Sequence, residues 1–179
     1  GWRRGQWFDQ TGLPWVNPSP NLRSLAAVTS YPGTVYFEGT NLSEGRGTDR
    51  PFEQIGAPWL DAAAVAATMN AMGLPGIAFQ AVTVPVADTA AKFPGQSIPA
   101  IRLAVTDRQA YRPVGTALVL IDTIRQQHPG EFAWGPSIDA LTGSDRVRLA
   151  IDAGRLAPLL AEWDRAAAQF RASRAGYLL

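Results

Sequence analysis

The chain has 179 residues, 46% of them hydrophobic and 17% charged, which suits one domain with a core of its own. Sixteen basic residues against fifteen acidic ones leave a formal charge of +1, arguing against a broad footprint for nucleic acid or an anionic membrane. With no cysteine and His128 the only histidine, disulfide frameworks, thiolate catalysis and multi-histidine metal sites are excluded and a histidine triad is disfavoured, leaving chemistry to carboxylates, arginines, tyrosines and hydroxyls.

The opening Gly1-Trp2-Arg3-Arg4 lacks an initiator Met and reads as the start of a fragment or a processed chain, with Arg3 and Arg4 solvated. Pro14, Pro18, Pro20 and Pro32 predict extended chain and turns over residues 1–33, with one helical turn over Ser24 to Ser30. Thr34-Val35-Tyr36-Phe37 is β-rich and apolar, and predicts a short buried strand. Glu38 to Arg50 follows, glycine-rich and charged with both signs, and predicts an exposed loop outside the core. Pro51 to Pro58 reads as irregular. Asp61 to Met72 predicts a helix stopped by Gly73 and Pro75; Ile77 to Val86 and Ile98 to Val105 predict strands around a loop at Lys92, the only lysine. Pro113 to Gln127, Asp145 to Ala153 and Leu156 to Arg174 predict further helices, the last burying Leu156, Leu159, Leu160, Trp163 and Phe170 along one face. The fold class is therefore mixed α/β (α+β): a small sheet of at least three strands with about four helices, in a single domain over 1–179. No run of about 18 apolar residues is present, so no membrane-spanning helix is expected.

The Glu38–Arg50 loop carries the candidate chemistry. Glu38 and Glu44 could lie about 5–9 Å apart, the range in which glycoside hydrolases hold an acid and a nucleophile or base. Arg46 and Arg50 could fork onto a substrate carboxylate, or the glutamates and arginines could pair only with each other. Gly45-Arg46-Gly47-Thr48 lacks the lysine and the spacing of a nucleotide-binding loop. Trp7, Trp15 and Trp59 lie in polar or proline-rich loops and could stack on a sugar or plug gaps, as could Trp2 and Trp134, whereas Trp163 reads as core. Asp107 with Arg108 reads as a turn-fixing ion pair, and His128 as a surface cap after a helix.

Several runs together resemble one bacterial family: Pro18-Ser19-Pro20-Asn21, Tyr31-Pro32-Gly33-Thr34, the stretch from Phe37 to Thr48, Pro51-Phe52-Glu53 and Gly56-Ala57-Pro58-Trp59. Val105-Thr106-Asp107-Arg108, Arg112-Pro113-Val114 and the terminal Tyr177-Leu178-Leu179 extend the likeness along essentially the whole chain. The chain resembles the C-terminal part of the exo-β-N-acetylmuramidases, glycoside hydrolases long filed as a domain of unknown function. The resemblance implies release of N-acetylmuramic acid from the non-reducing end of peptidoglycan fragments, without metal or organic cofactor, in a periplasmic or secreted setting. It implies a Rossmann-like N-terminal domain upstream, holding the main catalytic glutamate, and an active site in the cleft between the two domains. On this reading Arg46 and Arg50 receive the lactyl carboxylate, while Asn41, Ser43 and Thr48 bind sugar hydroxyls or the N-acetyl group. Glu44, before Glu38, is the candidate second catalytic carboxylate, or else either holds an arginine in place. The expected partners are the peptidoglycan-derived saccharide and the upstream domain, with neither nucleic acid nor membrane. The face that domain covers is expected to show an apolar patch through which copies could self-associate. A non-catalytic muropeptide-binding module and a purely structural half are the alternatives.

Overall fold

A computed structural model describes Gly1 and residues 3–178, so the readings of Trp2 and Leu179 lie outside the described residues. Among them are six α-helices and a three-stranded antiparallel sheet. In chain order these are α1 (Leu25–Thr34), β1 (Gln54–Gly56), α2 (Ala62–Ala71), β2 (Ile77–Pro85), β3 (Ser97–Val105), α3 (Pro113–Gln127), α4 (Ile138–Thr142), α5 (Arg146–Asp152) and α6 (Leu156–Arg174). The mixed fold class holds.

The long hairpin β2–β3 is the frame, with Ile77 opposite Val105 and Pro85 opposite Ser97. Strand β3 is central and β1 pairs along its other edge, Ile55 opposite Ile101. Apolar residues alternate on these strands, so Ile77, Phe79, Ile101 and Leu103 turn to one face and are buried. Helices α2 and α3 fill that face with Val65, Met69, Leu118, Ile121 and Ile124, each fully buried. Asp61 caps α2, its carboxylate accepting from the Ala64 N–H at 3.0 Å. Asn70 in α2 reaches the outer edge of β2, donating to the Phe79 carbonyl and accepting from the Phe79 N–H, as a neighbouring strand would. A second cluster of Val84, Val86, Ile98 and Ala100 lies at the far end of the hairpin, and Phe93 packs against both cores. It anchors the loop that carries Lys92.

Four expectations are corrected. Ser24 to Ser30 is the start of a ten-residue helix, capped by Ser24, that runs through Pro32 to Thr34. Proline is tolerated there because only the bond to the Val28 carbonyl is lost, and Gly33 brings the helix onto α3. A Cβ on Gly33 would stand 2.0 Å from the Pro113 carbonyl oxygen. Thr34 to Phe37 is no strand: the chain tightens into a 3-10 turn, Val35–Gly39, that buries Phe37 completely. Helix continuity and burial override the β preference of Val, Tyr and Phe. The irregular Pro51–Pro58 segment contains β1, and α4 was not foreseen. Helix α6 buries Leu156 and Leu159, while Trp163 is only half-buried and Phe170 is 63% exposed.

Smaller differences follow the same logic. His128 is buried, its Nε2 accepting from the Asp61 N–H at 2.9 Å and its ring against Trp59. Asp107 does not pair with Arg108; it accepts from the Gln109 and Ala110 N–H groups to fix the turn. Arg108 instead pairs with Asp9 at 3.0 Å and lies over the Trp7 ring. Among the described residues the exposed large apolar side chains are Phe8, Leu13 and Val16 near the start, Phe170, Tyr177 and Leu178 near the end, and Met72 and Leu149 between.

Candidate functional site

The segment from Thr40 to Glu53 is not the exposed loop its composition suggests. Leu42, Ser43, Glu44 and Thr48 are buried, and the backbone is tied to β1 by paired hydrogen bonds between Ser43 and Gly56. Its polar groups are paired within the segment and with Gln54, Ala87 and Lys92, which makes burial affordable. The Thr48 hydroxyl donates to the Gly45 carbonyl at 2.6 Å and accepts from Gln54 Nε2 at 2.7 Å. Gly45 and Gly47 both take positive φ, 84° and 82°, and the Gly47 carbonyl accepts from the Ala87 N–H at 2.8 Å. Phe52 also has positive φ, 65°, a conformation that costs an aromatic residue energy. Its ring is buried edge-to-face against Tyr31 and forms the floor under Arg46, 5.1 Å from the guanidinium carbon.

Above that floor the two candidate carboxylates meet on one arginine. Arg46 Nη2 is 2.9 Å from Glu38 Oε1, and Nη1 is 3.6 Å from Glu44 Oε1. The Glu38 contact is ionic, without an aligned N–H, and the buried Oε1 keeps its acceptor capacity unfilled. Arg46 is half-exposed at 42% of its side chain, while the Glu44 side chain is only 6% exposed. Glu44 Oε2 accepts from Lys92 Nζ at 3.1 Å. That ammonium also donates to the carbonyls of Phe37, Thr40 and Leu42, at 3.0, 3.1 and 2.6 Å. Tyr36, on the same turn as Glu38, is half-buried, and burial pushes its phenol above the ordinary value.

A cleft of about 460 Å3 opens beside this cluster, lined by Asn21, Arg23, Ser43, Glu44, Arg46, Gly47, Thr48, Thr89 and Lys92 among others. Its size suits a small polar ligand. Of the candidate residues, Glu44, Arg46, Ser43 and Thr48 line it, and Glu38 touches it through Arg46. Two do not join them. Asn41 turns away to donate to the Glu131 carbonyl and accept from the Ala133 N–H, bracing the chain before α4. Arg50 turns to Glu53 and Asp49 on an adjoining cleft of about 420 Å3 that shares Arg23. Glu53 is itself buried and accepts from the Ser24 hydroxyl at 2.7 Å. The tryptophans are engaged within the fold: Trp7 under Arg108, Trp15 against Phe8, Trp59 on His128, and Trp134 donating to Asp152 at 3.0 Å.

Sequence reasoning missed Lys92, Arg23, Asn21 and Phe52. For Lys92 a signal existed, since it is the one lysine among sixteen basic residues. Charge arithmetic favours an anionic guest. Glu38 and Glu44 balance Arg46 and Lys92, and Arg23 leaves one positive charge over. Two guanidiniums beside the Ser43 hydroxyl and the Gly47 backbone can hold a carboxylate on a hydroxylated, uncharged body.

Known proteins resemble the chain in sequence and in fold. The family described as "Exo-beta-N-acetylmuramidase NamZ, C-terminal" matches residues 29–179. The peptidoglycan beta-N-acetylmuramidase NamZ of Bacillus subtilis is 37% identical over 181 aligned positions, covering 99% of this chain and 43% of that protein. The chain thus spans less than half the length of that curated relative. Two DUF1343 family crystal structures from Bacteroides fragilis share the fold. One has a TM-score of 0.78 at 20% identity, covering 85% of this chain and 41% of the other. The second has a TM-score of 0.58 at 26% identity, covering 91% and 43%.

Proposed function

The chain belongs to the C-terminal family of the NamZ exo-β-N-acetylmuramidases, bacterial glycosidases of peptidoglycan, and from that premise we propose that it is the wall on which such an enzyme recognises N-acetylmuramic acid. The observation that carries this reading is one half-exposed guanidinium, Arg46, held between two carboxylates at the mouth of the cleft. N-acetylmuramic acid differs from N-acetylglucosamine by a lactyl carboxylate, and a fixed guanidinium is suited to that difference. A sugar without the carboxylate leaves the arginine without its new partner, so discrimination is by loss rather than by clash. Ser43 supplies a hydroxyl and Gly47 a backbone contact for the ring and the N-acetyl group, whereas the Thr48 hydroxyl is occupied by Gly45, Arg50 and Gln54 and serves the turn itself. Arg50 and Asn41 belong to the scaffold of the neighbouring segments in this account. The 179 residues act as one domain facing an upstream, Rossmann-like domain that supplies the main acid, and together they release the terminal sugar from peptidoglycan fragments.

Glu38 and Glu44 then hold Arg46 in position. Both Glu44 oxygens face cations, one toward Arg46 and the other toward Lys92, so the carboxylate is engaged in holding them. Calorimetric titration with N-acetylmuramic acid and N-acetylglucosamine tests the reading: the acidic sugar binds more tightly. Equal affinities would reject it.

A second reading rests on the burial of Glu44 at the cleft wall, which also suits an ionic stabiliser of a developing oxocarbenium. Glu44→Gln in an enzyme that includes the upstream domain separates the two. Loss of kcat at unchanged KM favours the stabiliser, and a rise in KM alone favours the holding role.

A further inference from the structure

We infer that Lys92 is the positioning residue of this cleft: its ammonium is a built-in cation around which the Phe37–Glu44 chain folds, and through Glu44 it fixes Arg46. The inference deepens the proposed function and rests on it for the sugar, but its geometric core does not need the sugar. Four oxygens, those of Phe37, Thr40, Leu42 and the Glu44 carboxylate, converge on Nζ at 2.6–3.1 Å. An ammonium has three donors, so the four acceptors surround it as they would a free monovalent cation. All four belong to one short stretch of chain, whereas Lys92 comes from the loop between β2 and β3, more than forty residues away.

Arginine could not do this. Its planar fork aims N–H groups outward along fixed lines, while an ammonium can point at carbonyls gathered around a centre. In a chain whose other cationic side chains are all arginine, the one lysine stands where a point cation is required. The consequence for the cleft is electrostatic as well as structural. With Lys92 present, Glu44 is compensated and Arg46 is free to attract a carboxylate. Without it, Glu38 and Glu44 outweigh Arg46, and Arg23 only restores neutrality. Lys92 thus tunes the cleft toward acidic over neutral sugars without touching the sugar's carboxylate.

The test is chemical rescue. Lys92→Ala removes the equivalent of a propylammonium ion and leaves the oxygen cage empty. In the variant, the Arg46 Nε–Hε resonance should move toward the position of a solvated arginine, and amide protection over 43–48 should fall. Affinity for N-acetylmuramic acid should drop roughly tenfold or more, as for loss of a hydrogen bond to a charged group. Added propylammonium should restore the resonance and the affinity, propanol should not, and Lys92→Arg should behave like the alanine variant. An unchanged Arg46 resonance in Lys92→Ala, or full retention by Lys92→Arg, would overturn the inference. The resonance is read without any sugar, so failure of sugar binding and failure of positioning are told apart. Should Lys92→Ala not fold, the wild-type ammonium itself decides: caged, its protons exchange slowly enough to be seen by 15N NMR, whereas rapid exchange like that of a free lysine contradicts the cage.

Discussion

Replacing Arg46 by Met isolates the charge on which recognition of the acidic sugar depends. Methionine keeps an unbranched apolar stem over Phe52, so the floor of the cleft stays covered while the guanidinium is lost. A hydrogen bond to a charged group is worth about 1.5–3 kcal/mol, and a side chain 42% exposed belongs toward the lower part of that range. The loss should be about 2 kcal/mol, or roughly 30-fold in affinity for N-acetylmuramic acid. Glu38, relieved of its partner, adds repulsion in the same direction. N-acetylglucosamine makes no use of the charge, and its affinity should change by less than about threefold. Isothermal titration of both sugars into both proteins provides the comparison, repeated at high salt, which should weaken the wild-type preference for the acidic sugar. A parallel fall for both sugars would mean that Arg46 shapes the cleft rather than reads the carboxylate. No change for the acidic sugar would remove the basis of the account.

Gly33→Ala should destabilise the fold by about 1–3 kcal/mol, because its Cβ would meet the Pro113 carbonyl and force α1 off α3; chemical denaturation reads this directly. The Arg148 guanidinium, hydrogen-bonded to Asp139, holds that carboxyl below the usual range. A lowered folded-state pKa gives stability that is present above the unfolded value and lost as pH falls through the folded one. Asp139→Asn should therefore be less stable than wild type at neutral pH, and the gap should close in acid; a gap independent of pH would refute the link. Burial pushes the Tyr111 phenol up, against a smaller opposing effect of Ser30, so stability should fall as pH rises past the ordinary tyrosine range, and less so in Tyr111→Phe. The chain alone should leave a chromogenic β-N-acetylmuramide uncleaved, since its candidate carboxylates are both engaged by Arg46; turnover would place a complete catalytic pair within it.

What the sequence made legible was set by periodicity. Helices α2 and α3 and the hairpin β2–β3 follow from apolar spacing and from proline and glycine stops, and they occur close to where the spacing puts them. Where tertiary contacts outweigh local preference, the reading failed. Val35-Tyr36-Phe37 has strand-forming residues but continues a helix, because Phe37 must reach the core. The polarity of the glycine-rich segment predicts an exposed loop, yet its polar groups are paired internally and through Lys92, which no local pattern reveals. Composition did bring Glu38, Glu44 and Arg46 together as candidates. It could not tell that Arg50 turns to Glu53, or that Asn41 braces the Ala133 backbone, since side-chain direction in a turn depends on the φ of each residue.

The wall account is tested most directly by titrating N-acetylmuramic acid into the 15N-labelled protein. The shifts should fall on Arg46 Nε and on the amides of Ser43, Gly47, Thr48 and Thr89, around the one cleft, and should be smaller with N-acetylglucosamine. Shifts centred on Arg50 and Glu53, or on the exposed end of α6, with Arg46 silent, would contradict it.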